Sequence, residues 1–217
     1  MAELTIVLGN KNYSSWSLRP WLVLKRTGTP FDEIVIPLST SETDSRIRVH
    51  SPSGRVPVLK HGDFIVWESL AIGEYLAELF PKARLWPEDR RARAHARAIS
   101  HEMHAGFAAL RTHMPMNVRA SFPGKGMTPE VKADIDRIVA LWTEARSRFG
   151  KGGDLLFGDF TIADAMFAPV VSRFRTYRVA LPATAQAYAD AVWALPEMQA
   201  WIAAAKAEKE AIAKYDT

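Results

Sequence analysis

A chain of 217 residues with 48% apolar and 24% charged side chains is long enough for two small domains around a real core. It contains no cysteine, which excludes disulfides, thiolate metal sites and a protein thiol nucleophile and fits a reducing, cytoplasmic compartment; any sulfur chemistry must come from a ligand. The formal charge of +4 is spread along the chain without the aromatic interleaving of a nucleic-acid binder, and no apolar run approaches the roughly 20 residues of a membrane span, so neither partner is expected.

Residues 4–8 read as a first strand, and the preceding Met1-Ala2-Glu3 carries no basic segment of the kind that opens a signal peptide. A polar turn over 10–17 leads to a helix predicted at 19–27, with Pro20 in its first turn and Gly28 at its C-terminal end. A second strand is predicted at 31–36, closed by Pro37, followed by a short polar helix over 41–50. Residues 52–59 form a turn running into a strand, 64–67 a further strand, and 69–79 a helix with Leu70, Ile72, Leu76 and Leu79 at helical spacings. The order βαβ–α–ββα, parallel crossover first and hairpin second, is a thioredoxin-like α/β arrangement over residues 1–80.

The prolines at 81 and 87 mark a linker. Beyond it only helical segments follow, at about 88–118, 129–149, 161–177, 184–194 and 196–214, so residues 88–217 read as an all-α domain. The densest basic run, Arg90 to Arg97, is alanine-rich and reads as a solvated helix face.

Three segments carry chemistry. In Val56-Pro57 a proline opens a strand where it cannot donate to the ladder. A cis bond there would turn the preceding peptide groups outward to pair with a bound peptide, while a trans proline at a sheet edge is the other possibility. Glu68-Ser69 stands where the last strand meets a helix, with Ser69 a candidate N-cap. The helix end would favour a ligand carboxylate and Glu68 an adjacent ammonium, the two charges of an α-amino acid head group; a simply capped helix is the plain alternative. Tyr13-Ser14-Ser15-Trp16-Ser17-Leu18-Arg19-Pro20 places three hydroxyls between the first strand and the first helix, any of which could cap it or face a ligand. His101 and His104 flank Glu102, but the His-Glu-x-x-His pattern and a third ligand are missing, and no metal is expected.

With these segments in order, and with Phe160-Thr161-Ile162-Ala163-Asp164 as a helix-capping element, nearly the whole chain resembles the cytosolic glutathione transferase superfamily. The serine stretch is most similar to the zeta class, whose Ser-Ser-Cys-Ser has Trp16 in place of its cysteine here. The resemblance implies Ser14 as the catalytic hydroxyl, with Ser15 or Ser17 as substitutes. It implies Val56 beside a cis Pro57 on the cysteinyl part of glutathione, Glu68 and Ser69 on the γ-glutamyl end, and Arg55 on the glycine carboxylate. Ser15 joins these glutathione-binding residues, and Trp16, His104 and Arg111 are expected around a small hydrophobic electrophile. Thr176, between Arg175 and Arg178, falls near the zeta-class substrate arginine. The function implied is conjugation of glutathione, as co-substrate, to that electrophile in a homodimer serving detoxification. A glutathione-dependent isomerase of the maleylacetoacetate type and a non-catalytic binding module are the alternatives.

The energetics close without a general base. A free thiol titrates near pH 8.5, and lowering that by about two units takes roughly 2.7 kcal/mol. A hydrogen bond to the thiolate supplies about 1.5–3 kcal/mol and a helix N-terminus up to about 1 kcal/mol.

Overall fold

The computed structural model describes residues 3–216. The first half is a mixed sheet of β1 (Leu4–Gly9), β2 (Asp32–Ile36), β3 (Val58–His61) and β4 (Phe64–Trp67) in the order β2-β1-β3-β4. β1 pairs parallel with β2 and antiparallel with β3, which pairs antiparallel with β4. The parallel pair needs a crossover, supplied by α1 (Ser15–Arg26); α2 (Thr43–Arg48) and α3 (Ser69–Leu79) complete this half. Strand alternation decides which side chains face which layer. Leu4, Ile6, Leu8 and Leu59 join α1 and α3 in the main core, while Val7, Ile36 and Val58 pack with Ile47 of α2 on the opposite face.

α1 begins at Ser15, four residues before the sequence expectation, because Ser14 caps it: its Oγ accepts the Ser17 N–H at 3.3 Å. Pro20 therefore stands inside the helix rather than in its first turn, where it withholds an N–H from the carbonyl of Trp16. The largely buried helix packs against α3 and against α7 (Ile162–Tyr177), which holds it together despite the missing bond.

The segment expected as one helix over 88–118 is two, α4 (Arg90–Ala105) and α5 (Ala108–His113). Gly106 is extended and Phe107 takes a φ of 61°, a break that turns the Phe107 ring into the core. α6 (Pro129–Phe149), α7, α8 (Ala183–Ala194) and α9 (Pro196–Ala207) follow. α9 stops at 207 rather than 214 because Glu208 is recruited elsewhere: its carboxylate accepts the N–H groups of Lys11 and Asn12 at 2.5 and 3.0 Å. Residues 208–216 then run as a strap, with Asn117 Nδ2 donating to the Tyr215 carbonyl at 2.9 Å and Arg119 Nη2 to the Glu210 carbonyl at 2.7 Å.

α7 is buried on every side and is the axis of the molecule. Its start is fixed by the capping element seen in the sequence, Thr161 N–H donating to Asp164 Oδ2 at 2.8 Å. The Ile162 N–H donates to the Leu85 carbonyl at 2.9 Å, which ties the linker to the same helix end. Ile6 and Leu76 of the sheet half share one continuous core with Ile99, Val131 and Phe167 of the helical half.

His95 of α4 packs against the stacked rings of Phe149 and Phe157, and its Nε2 is buried without a hydrogen-bond partner. Burial holds its pKa below the usual histidine value, with Glu144 opposing. The unfolded chain therefore binds this proton more tightly, and His95 costs stability as pH falls through the ordinary histidine range. Thermal melts from pH 7 to 5 are expected to show a shallower loss of Tm in His95→Phe than in the parent; equal slopes would assign that loss elsewhere.

Candidate active site

Segments of the sheet half converge on a groove of about 440 Å³. Arg55, Val56 and Pro57 border it before β3, Trp67, Glu68 and Ser69 where β4 becomes α3, and Trp16 at the start of α1; His104 of α4 closes the far wall. The Val56–Pro57 bond is cis, which decides between the two possibilities. Ladder pairing begins only at Val58, so the peptide groups of Val56 lie outside it.

The β4–α3 junction departs from expectation in one respect. Glu68, not Ser69, is the N-cap, and it adopts φ 78°, a left-handed conformation costing about 1–3 kcal/mol for a non-glycine residue. That conformation folds the side chain back over the helix end, where Oε2 accepts the N–H groups of Leu70 and Ala71 at 3.1 and 3.4 Å. Ser69 becomes the first helical residue, its hydroxyl donating to Glu68 Oε1 at 3.0 Å. The helix end is thus already occupied by a carboxylate, and the groove presents an anion beside a hydroxyl.

His104 Nδ1 lies 3.4 Å from Glu68 Oε1, across the boundary between the two halves. Burial lowers the His104 pKa against the pull of Glu68, so the ring is neutral at neutral pH and the contact is not an ion pair. His101 faces elsewhere, its Nδ1 on the Arg97 carbonyl at 2.8 Å. Among the described residues no cluster of three potential metal ligands occurs.

Ser14 and Ser15 line a second pocket, of about 360 Å³, together with Arg111, Arg173 and Tyr215 of the strap. Trp16 borders both cavities and separates them. Its indole is clamped, with the Arg19 and Arg111 guanidiniums 4.4 and 4.8 Å from the ring centre and the His104 ring edge-on at 5.2 Å. The residues singled out from the sequence are thus divided. Arg55, Val56, Pro57, Glu68, Ser69 and His104 share one cavity, Ser14, Ser15 and Arg111 the next, and Trp16 joins them.

Ser14 is only 6% exposed, and its hydroxyl donates to Ser17 Oγ at 2.7 Å. Ser17 Oγ also accepts the Gly9 N–H at 3.0 Å, which anchors the pair to the end of β1. Thr176 is spent structurally, its hydroxyl facing the carbonyls of Asn117 and Ser172 at 2.8 and 3.0 Å. Sequence reasoning gave no role to Arg19, noted only as part of the serine motif, and passed over Arg173; Arg19 stacks on Trp16, and Arg173 lines the second pocket with it. The signal was a lone arginine on an apolar helix face, in Ser17-Leu18-Arg19-Pro20-Trp21 and Val170-Val171-Ser172-Arg173-Phe174.

A thioredoxin-like sheet with a cis-proline groove, backed by an all-helical half, defines the glutathione transferase class of fold. Family models agree: one for the glutathione S-transferase N-terminal domain matches residues 13–79, and one for its C-terminal domain matches residues 128–204. The chain belongs to the glutathione S-transferase family. It is 30% identical over 172 residues to maleylacetoacetate isomerase of Rattus norvegicus, covering 77% of this chain and 76% of that one. It is 27% identical over 191 residues to a probable maleylacetoacetate isomerase of Caenorhabditis elegans, covering 81% and 88%. Among solved structures, a glutathione transferase homolog from Burkholderia with bound glutathione superposes with a TM-score of 0.71 at 26% identity, covering 94% of this chain and 99% of that one.

Proposed function

We propose that this protein binds glutathione in the groove beside cis Pro57 and conjugates its thiolate to a small electrophile held in the second pocket. Residues 1–80 are the glutathione-binding part and residues 88–217 the helical part that closes over the electrophile. The observation that carries this reading is the meeting of the two cavities at Trp16, with the Ser14 hydroxyl just beyond that wall. A tripeptide extended along Val56 with its γ-glutamyl end at Glu68 and Ser69 brings its sulfur to this junction. Glu68 meets the ammonium, Ser69 the α-carboxylate and Arg55 the glycine carboxylate.

At the junction Ser14 turns its proton from Ser17 to the sulfur. The Ser17 hydroxyl, still accepting the Gly9 N–H, is then free to donate to Ser14 Oγ. The resulting chain, peptide N–H to Ser17 to Ser14 to thiolate, strengthens each link by polarisation. The thiol proton leaves to solvent. The thiolate forms the carbon–sulfur bond as a leaving group departs with its electron pair, or as an activated double bond takes up a proton. A homodimer acting in cytoplasmic detoxification completes the reading.

An isomerase reading draws on the two relatives named maleylacetoacetate isomerase, since addition and elimination of the same thiolate would serve it. The occupied hydroxyl of Thr176 gives that substrate no arginine at this position.

A thermal-shift titration tests glutathione binding directly. Ligand at 100 times its dissociation constant adds about 2.7 kcal/mol, which raises Tm by about 5–10 °C in a chain of this size. Ser69→Ala is expected to weaken glutathione about tenfold, the loss of one hydrogen bond to a charged group, with turnover at saturation retained. No shift with glutathione or S-methylglutathione would end the proposal.

A further inference from the structure

The second pocket carries more positive charge than conjugation of a purely apolar electrophile calls for. Arg173 is 3% exposed. Its Nε donates to the Met114 carbonyl at 2.9 Å, and its Nη1 is buried with no hydrogen-bond partner. Arg111 enters the same pocket from α5, with Nε on the Gly106 carbonyl at 2.9 Å and Nη2 on the carbonyls of Met103 and His104. Behind Trp16, Arg19 is 1% exposed and both of its terminal nitrogens are buried without hydrogen-bond partners. Among the described residues lining the pocket there is no aspartate or glutamate.

Burial of these cations costs several kcal/mol: at Arg19 burial and the repulsion of Arg111 and Arg173 outweigh the pull of Glu68, and at Arg111 burial outweighs the pull of Asp134. Burial followed by Arg111 brings Arg173 to about 9, which leaves it charged at neutral pH. Backbone carbonyls orient the guanidiniums without neutralising them. Such a cost is retained where an incoming anion removes it, and a guanidinium edge is shaped for the two oxygens of a carboxylate.

We infer that this pocket selects electrophiles bearing a carboxylate, which Arg173 and Arg111 hold while the reacting carbon faces the Ser14 side. Leu38, Met116 and Ile212 supply apolar walls for the rest of the molecule, so the substrate class is a small, largely apolar monocarboxylate. Arg173 and Arg111 are specificity-determining residues on this inference. It rests on the glutathione transferase reading for the identity of the pocket, and the test separates the two.

The test is calorimetric and needs no turnover. Binding of 4-chloro-3-nitrobenzoate is compared with that of its neutral isostere 4-chloro-3-nitrobenzamide, with S-methylglutathione filling the groove. The benzoate is expected to bind at least about tenfold tighter, the worth of a charge-assisted hydrogen bond. Arg173→Met and Arg111→Met are each expected to bring the ratio near one while S-methylglutathione affinity stays within about threefold. Equal binding by the parent protein, no benzoate binding at millimolar concentration, or a preference surviving in both variants would overturn the inference. Failure of S-methylglutathione to bind would count against the glutathione reading alone, and the benzoate preference measured without it would still judge the anion pocket.

Discussion

Ser14→Ala is expected to lower glutathione-conjugating turnover at pH 7 by up to about 30-fold while leaving the glutathione dissociation constant within about threefold, because the lost hydrogen bond is made to the thiolate alone. The hydroxyl sits on the electrophile side of Trp16, away from the groove residues that bind the peptide, so it contributes to reactivity rather than affinity. Without it the bound thiol titrates closer to its solution value near 8.5, and a smaller fraction is thiolate at pH 7. The pH–rate profile should therefore move to higher pH by about one to two units, matching the 1.5–3 kcal/mol at stake. Ser17→Ala, which removes the donor behind Ser14, should give a smaller loss of the same kind. Ser14 is also the cap of α1, so its removal costs about 1 kcal/mol of stability, measurable separately by denaturant titration. Unchanged turnover in Ser14→Ala, or an equal loss of glutathione affinity, would remove Ser14 from the chemistry.

Asp164→Ala is expected to destabilise the fold by about 3 kcal/mol and to lower Tm by about 6–12 °C. Asp164 is fully buried at the start of the central helix. Its Oδ2 accepts the N–H and hydroxyl of Thr161 at 2.8 and 3.1 Å, and Oδ1 the N–H of Leu156 at 3.2 Å. Burial pushes its pKa up to about 6 against the pull of those donors, so the carboxylate is ionised at neutral pH and its hydrogen bonds are charge-assisted. Alanine strands three donors in the core, each at a cost of about 1–3 kcal/mol before relaxation. Asp164→Asn keeps one acceptor oxygen and should fall between the two. An alanine variant as stable as the parent would show that α7 does not depend on this cap.

Much of the architecture was written in local patterns. Residues 4–8 read as a strand and lie in β1, and the Thr161-to-Asp164 spacing located the start of α7. The run 69–79 gave α3 at its observed limits. The misplacements share a cause. α1 begins at Ser15 because packing against α3 and α7 outweighs the penalty of an internal Pro20, which a local reading treats as a boundary. The long α4 expected from composition breaks at Gly106 and Phe107 because the core recruits the Phe107 ring.

By itself the sequence determined the class of protein: the order of elements, the proline just before β3, the Glu68-Ser69 pair and the serines around the start of α1 are all local, short-range features. Only the tertiary structure decided how these residues are distributed. It assigned Ser14 and Ser15 to a different cavity from Glu68 and Ser69, with Trp16 between them, and it turned Glu68 into the cap of its own helix. It also gathered Arg111 and Arg173 from distant helices into one pocket beside Ser14, where each guanidinium's surroundings come from chain segments far away in sequence. Burial and charge pairing are set by such long-range neighbours, and no window along the chain contains them.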